Sequence, residues 1–336
     1  MASGATILGC LGPTLAAEER AFFAEADPWG FILFARNIEN PDQVRRLTGD
    51  LRAAVGRDAP VLVDQEGGRV QRLRAPHWRE FPPPLDQLAR VDPAQAARSM
   101  WLRGRLIADD LIRVGIDVNC APSADIAAAD THPFLRNRCY GTNAATVVVA
   151  ARAMADGMMA GGVLPVMKHM PGHGRGTLDS HLLLPRVDAT LADLQLTDFA
   201  AFAALSDLPM AMTAHIVFSA IDPDAPATCS APMIRIIRET IGFGGLLMTD
   251  DLTMQALSGD LAARTAAALA AGCDLVLHCN GEMAEMTRVV EAAGRLQPGA
   301  ALRAERALAA RRPVEPADLV GLEHEFSSLI SGRTDG

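Results

Sequence analysis

The sequence predicts a (β/α)8 barrel, an α/β fold, and three observations carry this prediction. Eight short apolar runs, each bounded by turn residues, recur along the 336 residues. Longer segments rich in Ala, Leu and Arg separate the runs, a pattern typical of parallel strands covered by helices on both faces. Polar residues follow nearly every run, and in a barrel these strand ends meet at the face where sites form.

Each predicted strand is an apolar run that ends where polar residues begin. The eight runs are 5–10, 31–34, 61–63, 116–120, 163–167, 210–213, 246–249 and 275–277. Segments of helical character lie around 15–25, 42–56, 94–114, 143–160, 190–205, 230–240, 260–271 and 282–295. Residues 300–336, rich in Ala, Arg and Glu, are predicted to form C-terminal helices that close the barrel.

A doubly wound open sheet is the alternative α/β architecture. Its dinucleotide-binding form carries a GxGxxG motif after the first strand, and this sequence has none there. No Gly/Ser linker or shift in composition divides the chain. We therefore expect one domain over residues 1–336.

Composition and charge exclude several classes of protein. With 49% hydrophobic and 21% charged residues, the chain is too apolar for an intrinsically disordered protein. Its net charge of −9 argues against binding nucleic acid or a membrane surface, since either partner favours a basic face. The N-terminus lacks a signal-peptide pattern and no apolar run is long enough to span a membrane, so we expect a cytoplasmic protein. We separately expect it to be a monomer.

The six cysteines are scattered through apolar runs without a CxxC pair, which indicates buried thiols in a reducing compartment. A metal site is disfavoured because the sequence has no HxH or HExxH motif and a lysine stands beside its histidine-rich segment. We therefore expect neither a metal nor a cofactor.

That histidine-rich segment follows the fifth predicted strand. Residues 168–181 hold the only lysine of the chain, Lys168, and three of its eight histidines. Their glycines and proline predict a long irregular loop. Asp179 lies two residues before His181, and a carboxylate at that spacing can orient an imidazole as a general acid and base. A loop held by its own hydrogen bonds is the alternative interpretation.

Two other strand ends carry carboxylates. After the seventh strand, Asp250 is expected to point into the barrel mouth as a nucleophile or charge stabiliser, while Asp251 turns away and caps the next helix. After the third strand, Asp64 begins a segment that continues through Gly-Gly to Arg72. Carboxylates and arginines suit recognition of several hydroxyl groups. Arg138, in another irregular stretch, is on its own more typical of a solvated surface arginine.

These motifs, taken in order, resemble glycoside hydrolase family 3, specifically its β-N-acetylglucosaminidases. The resemblance spans residues 5–290 and rests mainly on the specific motif KHMPGHGRGTLDSH. The corroborating motifs are FILFARN, VDQEGGRVQR, RNRCYG and LLMTDDLTM. The resemblance implies a (β/α)8 barrel without cofactor. It also implies a retaining exo-enzyme that removes terminal N-acetylglucosamine from small peptidoglycan fragments, N-acetylglucosaminyl-anhydromuramic acid with or without peptide.

The resemblance also implies a role for each matching residue. Asp250 matches the nucleophile, His181 the acid and base, and Asp179 its dyad partner. The residues that match the sugar-binding positions are Asp64, Arg72, Arg138, Lys168 and His169. Arg136, Asn137 and Cys139 depart from the family pattern around Arg138. A β-glycosidase of other sugar specificity and a non-catalytic sugar-binding barrel remain the alternatives.

Overall fold

The computed structural model describes residues 2–178 and 183–331, and its centre is a closed barrel of eight parallel strands. The strands, in chain order, are β1 (Gly4–Gly9), β2 (Pro28–Leu33), β3 (Val61–Val63), β4 (Gln65–Gly67), β5 (Val70–Gln71), β6 (Val118–Asn119), β7 (Leu164–Met170), β8 (Arg186–Val187), β9 (Met210–Thr213), β10 (Val217–Phe218), β11 (Leu246–Asp251) and β12 (Leu275–His278).

Around the barrel the strand order is β1, β2, β3, β6, β7, β9, β11 and β12, and β12 pairs with β1 to close the sheet. Two small sheets, β4 with β5 and β8 with β10, lie outside it. Each of the eight predicted strands overlaps a barrel strand. The predicted (β/α)8 fold is therefore confirmed.

Helices alternate with the barrel strands. They are α1 (Ala17–Ala26), α2 (Pro41–Val55), α3 (Pro84–Arg90), α4 (Ala96–Ile112), α5 (Pro133–Arg136), α6 (Ala144–Ala160), α7 (Leu191–Leu196), α8 (Asp198–Ala203), α9 (Ala231–Glu239), α10 (Leu261–Ala271), α11 (Met283–Ala293), α12 (Pro298–Ala309) and α13 (Leu319–Ser331). The helix predicted over 190–205 is two helices that meet at Thr197, and α3 and α5 are not among the predicted helices.

The core has two layers. Inside the barrel, alternate strand residues pack on one another, and the small side chains Ala300, Ala304 and Ala307 of α12 cover the lower end. The intervening strand residues pack outward against the helices. Helix α12 thus packs against one end of the barrel interior. The second C-terminal helix, α13, packs on the outer helices α3 and α4.

The alternation of the strands decides which polar residues reach the mouth. In β11, Leu246 and Met248 point into the barrel, so Asp250 continues the inward row. In β3, Leu62 points inward, and Asp64 and Glu66 follow at the same period of two. The period of two therefore directs Asp64 and Asp250 towards one space.

One predicted boundary is wrong. The predicted irregular loop begins at Lys168, but strand β7 continues through Met170. Tertiary pairing extends the strand: Met170 lies opposite Thr213 of β9, and the N–H of Ala124 donates to the Lys168 carbonyl at 2.7 Å. The irregular segment begins at Pro171. Among the described residues, none of the helices is both long and apolar enough to cross a membrane.

Candidate active site

The carboxyl ends of the barrel strands surround a cavity of about 480 Å³. Six of the predicted site residues line it, from five separate parts of the chain: Asp64, Arg72, Arg138, Lys168, His169 and Asp250. Asp179 and His181 lie outside the described residues. Leu178, the last described residue before them, lines the same cavity.

Lys168 joins two carboxylates on one wall of the cavity. Its Nζ lies 2.8 Å from Oδ1 of Asp64 and 2.6 Å from Oε1 of Glu66, and its side chain is 2% exposed. Burial opposes ionisation of all three groups, but each stabilises the charge of its partners. As a result the pKa of Lys168 rises above its ordinary value, and the pKa of Asp64 falls well below its own.

Two arginines complete this charge network. Arg138 donates from Nε and Nη2 to both oxygens of Glu66, at 3.0 and 2.8 Å. Arg72 donates from Nη2 to Oδ2 of Asp64 at 3.1 Å. Burial raises the pKa of Glu66, but the charges of Arg138 and Lys168 outweigh burial, and the resulting pKa is about 2. Both carboxylates are therefore ionised at neutral pH, and the wall presents a fixed array of donors and acceptors.

His169 stands beside this array. Its Nδ1 lies 2.7 Å from Oδ2 of Asp125, and its Nε2 lies 3.2 Å from Nη2 of Arg138. The backbone N–H of His173 also donates to Asp125, at 2.6 Å. His173 is buried against the edge of the His169 ring, and burial lowers its pKa to about 4. The imidazole of His173 is therefore neutral at neutral pH.

Asp250 lies across the cavity from the charge network, on β11. Desolvation raises its pKa, but the His215 and His169 rings and the N–H of Asp251, which donates to Oδ1 at 2.8 Å, lower it below the ordinary value. Asp250 is therefore an ionised carboxylate at neutral pH. A carboxylate in that state at a barrel mouth can act as a nucleophile or stabilise positive charge.

Asp251 does not cap a helix, so that prediction is wrong. Its Oδ1 accepts hydrogen bonds from the N–H groups of Thr253 and Cys279, at 3.1 and 3.3 Å. The next helix, α10, is instead capped by Asp260, whose Oδ1 accepts from the N–H of Ala263 at 2.8 Å. Asp251 thus ties the end of β11 to the end of β12.

Sequence reasoning missed three residues of this site. The sequence motif VDQEGGRVQR contains Glu66, but the sequence predicts no role for it, although it lies only two residues after Asp64. His215 is fully buried, with Nε2 donating to the Asp251 carbonyl at 2.9 Å. Its position at a predicted strand end was a usable signal. Asp125 lies in an irregular segment after β6, where nothing in the sequence marks it.

The residues that depart from the family pattern hold the loop of Arg138 together. Arg136 donates to the carbonyl of Ala128, and the Cys139 thiol donates to the carbonyl of Leu135 at 3.6 Å. Both contacts are internal to the stretch between β6 and α6. They leave the guanidinium of Arg138 on the cavity wall.

A metal site is not evident in the described part of the chain, where no group of three or more His, Cys, Asp and Glu side chains is arranged to hold an ion. The wall of the cavity also carries the cations Lys168, Arg72 and Arg138. Their positive charge would oppose binding of a metal ion there.

Comparison with known proteins gives consistent matches. Residues 8–308 match the family described as glycosyl hydrolase family 3 N-terminal domain. A β-hexosaminidase from Alkalilimnicola ehrlichii is 39% identical over 287 residues, which cover 83% of this chain and 82% of that protein.

Solved structures agree with this match. NagZ from Neisseria gonorrhoeae, in complex with N-trifluoroacetyl-D-glucosamine, is 28% identical with a TM-score of 0.87. The match covers 100% of this chain and 99% of that protein. A family 3 β-N-acetylglucosaminidase from Paenibacillus is 26% identical with a TM-score of 0.82. There the match covers 99% of this chain and 62% of that longer protein.

Proposed function

The chain belongs to glycoside hydrolase family 3 and is a glycosidase, and we propose that it is a retaining exo-β-N-acetylglucosaminidase. Its proposed substrates are small peptidoglycan fragments with a terminal, non-reducing N-acetylglucosamine, N-acetylglucosaminyl-anhydromuramic acid with or without peptide. The relatives named β-hexosaminidase and the N-acylglucosamine ligand of the Neisseria protein support this specificity. We also propose that the enzyme is a cytoplasmic monomer of one domain.

One observation carries the proposal: an ionised carboxylate, Asp250, faces a wall of paired charges across a single cavity. A glycosidase that retains configuration needs a carboxylate that attacks the sugar carbon and leaves again. It also needs donors and acceptors that hold the hydroxyl groups of the sugar while the bond breaks. The two sides of the cavity meet these two needs separately.

The sugar-binding side suits a polyol. Asp64 accepts hydrogen bonds, and Lys168, Arg72 and Arg138 donate them. Glu66, buried outside the cavity lining, holds Arg138 and Lys168 in place. Because these groups already hold one another, a sugar hydroxyl that enters finds partners whose geometry is set. We propose that Asp64, Arg72, Arg138, Lys168 and His169 hold the terminal sugar in this way.

The acid and base are proposed to be His181, with Asp179 as its dyad partner, on the segment that follows Leu178. The described part of that segment is anchored at two points. Arg175 donates from Nε to Oδ2 of Asp198 at 2.7 Å, and the N–H of His132 donates to the carbonyl of Gly176 at 3.0 Å. These anchors hold the described residues up to Leu178, which lies on the cavity lining and directly precedes Asp179 in the sequence motif.

The proposed reaction has two steps. In the first, Asp250 attacks the anomeric carbon while His181 protonates the leaving oxygen, which forms a glycosyl ester on Asp250. In the second, His181 takes a proton from water, and the water oxygen displaces Asp250 from the same carbon. Two displacements at one carbon give net retention. An imidazole in place of a second carboxylate adds no negative charge beside Asp250.

The experiment that tests this function is a panel of nitrophenyl glycosides, measured with the wild-type protein and with Asp250→Ala. We expect turnover of the β-N-acetylglucosaminide and its loss in the variant. Turnover of a different β-glycoside alone would contradict the sugar specificity. Absence of turnover on the whole panel, with sugar bound equally by both proteins, would instead indicate a non-catalytic sugar-binding barrel.

A further inference from the structure

Asp125 collects hydrogen bonds from both sides of the β7 end, although it does not line the cavity. The residue is 0% exposed. Its Oδ2 lies 2.7 Å from Nδ1 of His169, and its Oδ1 accepts from the N–H of His173 at 2.6 Å. The hydroxyl of Ser123 donates to Oδ2 at 3.2 Å. One buried carboxylate therefore links a sugar-binding side chain to the start of the segment that leads to Asp179.

The partners of His169 determine which of its nitrogens carries the proton. Burial raises the pKa of Asp125, but His169 and His173 lower it to about 2, so its carboxylate only accepts hydrogen bonds. Nδ1 of His169 must then be the donor. On the other side, the guanidinium of Arg138 only donates, so Nε2 must present its lone pair.

We propose that Asp125 is a positioning residue that keeps His169 in the Nδ1–H tautomer, so that Nε2 accepts a hydrogen bond from the Arg138 guanidinium and the two proposed sugar-binding side chains are held together on the cavity wall. This proposal rests on the proposed function. Asp125 also fixes the backbone at His173, so the orientation of the sugar-binding ring and the origin of the following segment depend on one carboxylate. A ring held in the opposite tautomer would present a donor to Arg138, which is itself only a donor, and this hydrogen bond would be lost.

Nitrogen-15 NMR of histidine-labelled wild-type protein tests the proposal without any change to Asp125. A His169→Gln variant identifies the His169 signals by their disappearance. We expect a protonated Nδ1 and an unprotonated Nε2 at neutral pH. A protonated Nε2, whether in the other neutral tautomer or in an imidazolium, would overturn the proposal.

The variant Asp125→Asn tests the consequence for catalysis. The asparagine amide has only one acceptor oxygen, so it cannot accept hydrogen bonds from both Nδ1 of His169 and the N–H of His173. We therefore expect a mixture of His169 tautomers and a loss in kcat/KM of about 10- to 100-fold. The matched control is Asp198→Asn, which removes the charge of a buried carboxylate that anchors the same segment through Arg175. We expect it to leave the His169 tautomer unchanged.

The outcomes separate this proposal from the proposed function. A wild-type protein without β-N-acetylglucosaminidase activity would refute the function, while the tautomer of His169 would still decide the role of Asp125. Full activity in a folded Asp125→Asn protein would refute the positioning role and leave the function intact. If that variant does not fold, the wild-type nitrogen spectrum still decides the proposal.

Discussion

The two sides of the barrel mouth use charge in opposite ways. On the side formed by β3, β4 and β7, charges are paired: Lys168 bridges Asp64 and Glu66, and Arg138 binds Glu66 with two hydrogen bonds. On the side formed by β11, Asp250 accepts a hydrogen bond from the N–H of Asp251, and within the described chain it has no salt-bridge partner.

This difference indicates a division of labour. Paired, buried charges hold one another in place, so the proposed sugar-binding side has a fixed geometry before a ligand arrives. A carboxylate without a salt-bridge partner keeps lone pairs available to attack carbon. We therefore expect changes on the paired side to affect stability and binding, and a change at Asp250 to affect the chemical step.

The largest expected effect is on that chemical step. Asp250→Ala removes the proposed nucleophile, and we expect kcat on the nitrophenyl β-N-acetylglucosaminide to fall on the order of 10⁴-fold or more. The free energy of unfolding should change little, because no ion pair within the described chain is broken. Steady-state kinetics and urea unfolding check both expectations. A modest loss of kcat would remove the distinction between the two sides.

The next effect is on stability. Glu66→Gln leaves the buried cations Lys168 and Arg138 short of a negative charge, and we expect the free energy of unfolding to fall by about 3–5 kcal/mol. Urea unfolding of the variant beside Asp250→Ala makes the comparison direct. Equal stability of these two variants would show that the paired side does not hold the mouth together.

A smaller effect is expected where charge is kept but shape changes. Lys168→Arg places a planar guanidinium where a compact ammonium bridges two carboxylates, and we expect kcat/KM to fall on the order of 100-fold. The control is Arg20→Lys, in an exposed pair with Asp50 whose contribution should be below about 1 kcal/mol. Full activity of Lys168→Arg would mean that the identity of this cation is unimportant.

The smallest effect is a difference in pH dependence. The folded-state pKa of Glu66 is about 2, below its ordinary value of 4.5, so its contribution is complete above that ordinary value and is lost as the pH falls towards 2. Unfolding free energies measured across this window should fall more steeply for wild type than for Glu66→Gln. Identical slopes would contradict the assigned ionisation of Glu66.

Much of the fold follows from local pattern, because apolar runs that alternate with helical segments have few other ways to be buried. The end of β7 does not. Its pairing with β9 at Thr213 and the hydrogen bond from Ala124 are tertiary contacts, which no local pattern in the sequence indicates. Helix α5, four residues long, is too short for a periodic pattern.

The site residues also differ in whether a local sequence pattern predicts them. Asp64 and Asp250 were predictable because each continues an inward row of strand residues. Arg138 was predicted only through the family resemblance, because its partner Glu66 lies 72 residues away in sequence and no local pattern joins the two. Asp125 lies 44 residues from His169 and has no motif of its own. The roles of Asp179 and His181 stay predictions, since these residues lie outside the described part of the chain.

Trapping of the glycosyl-enzyme tests the central claim most directly. The wild-type protein is incubated with a 5-fluoro N-acetylglucosaminyl donor, digested, and the labelled peptide is sequenced by mass spectrometry. We expect one adduct, an ester on Asp250, and none in Asp250→Ala. An adduct on Asp251, or turnover of the nitrophenyl substrate by Asp250→Ala at the wild-type rate, would contradict the assignment of Asp250 as the nucleophile.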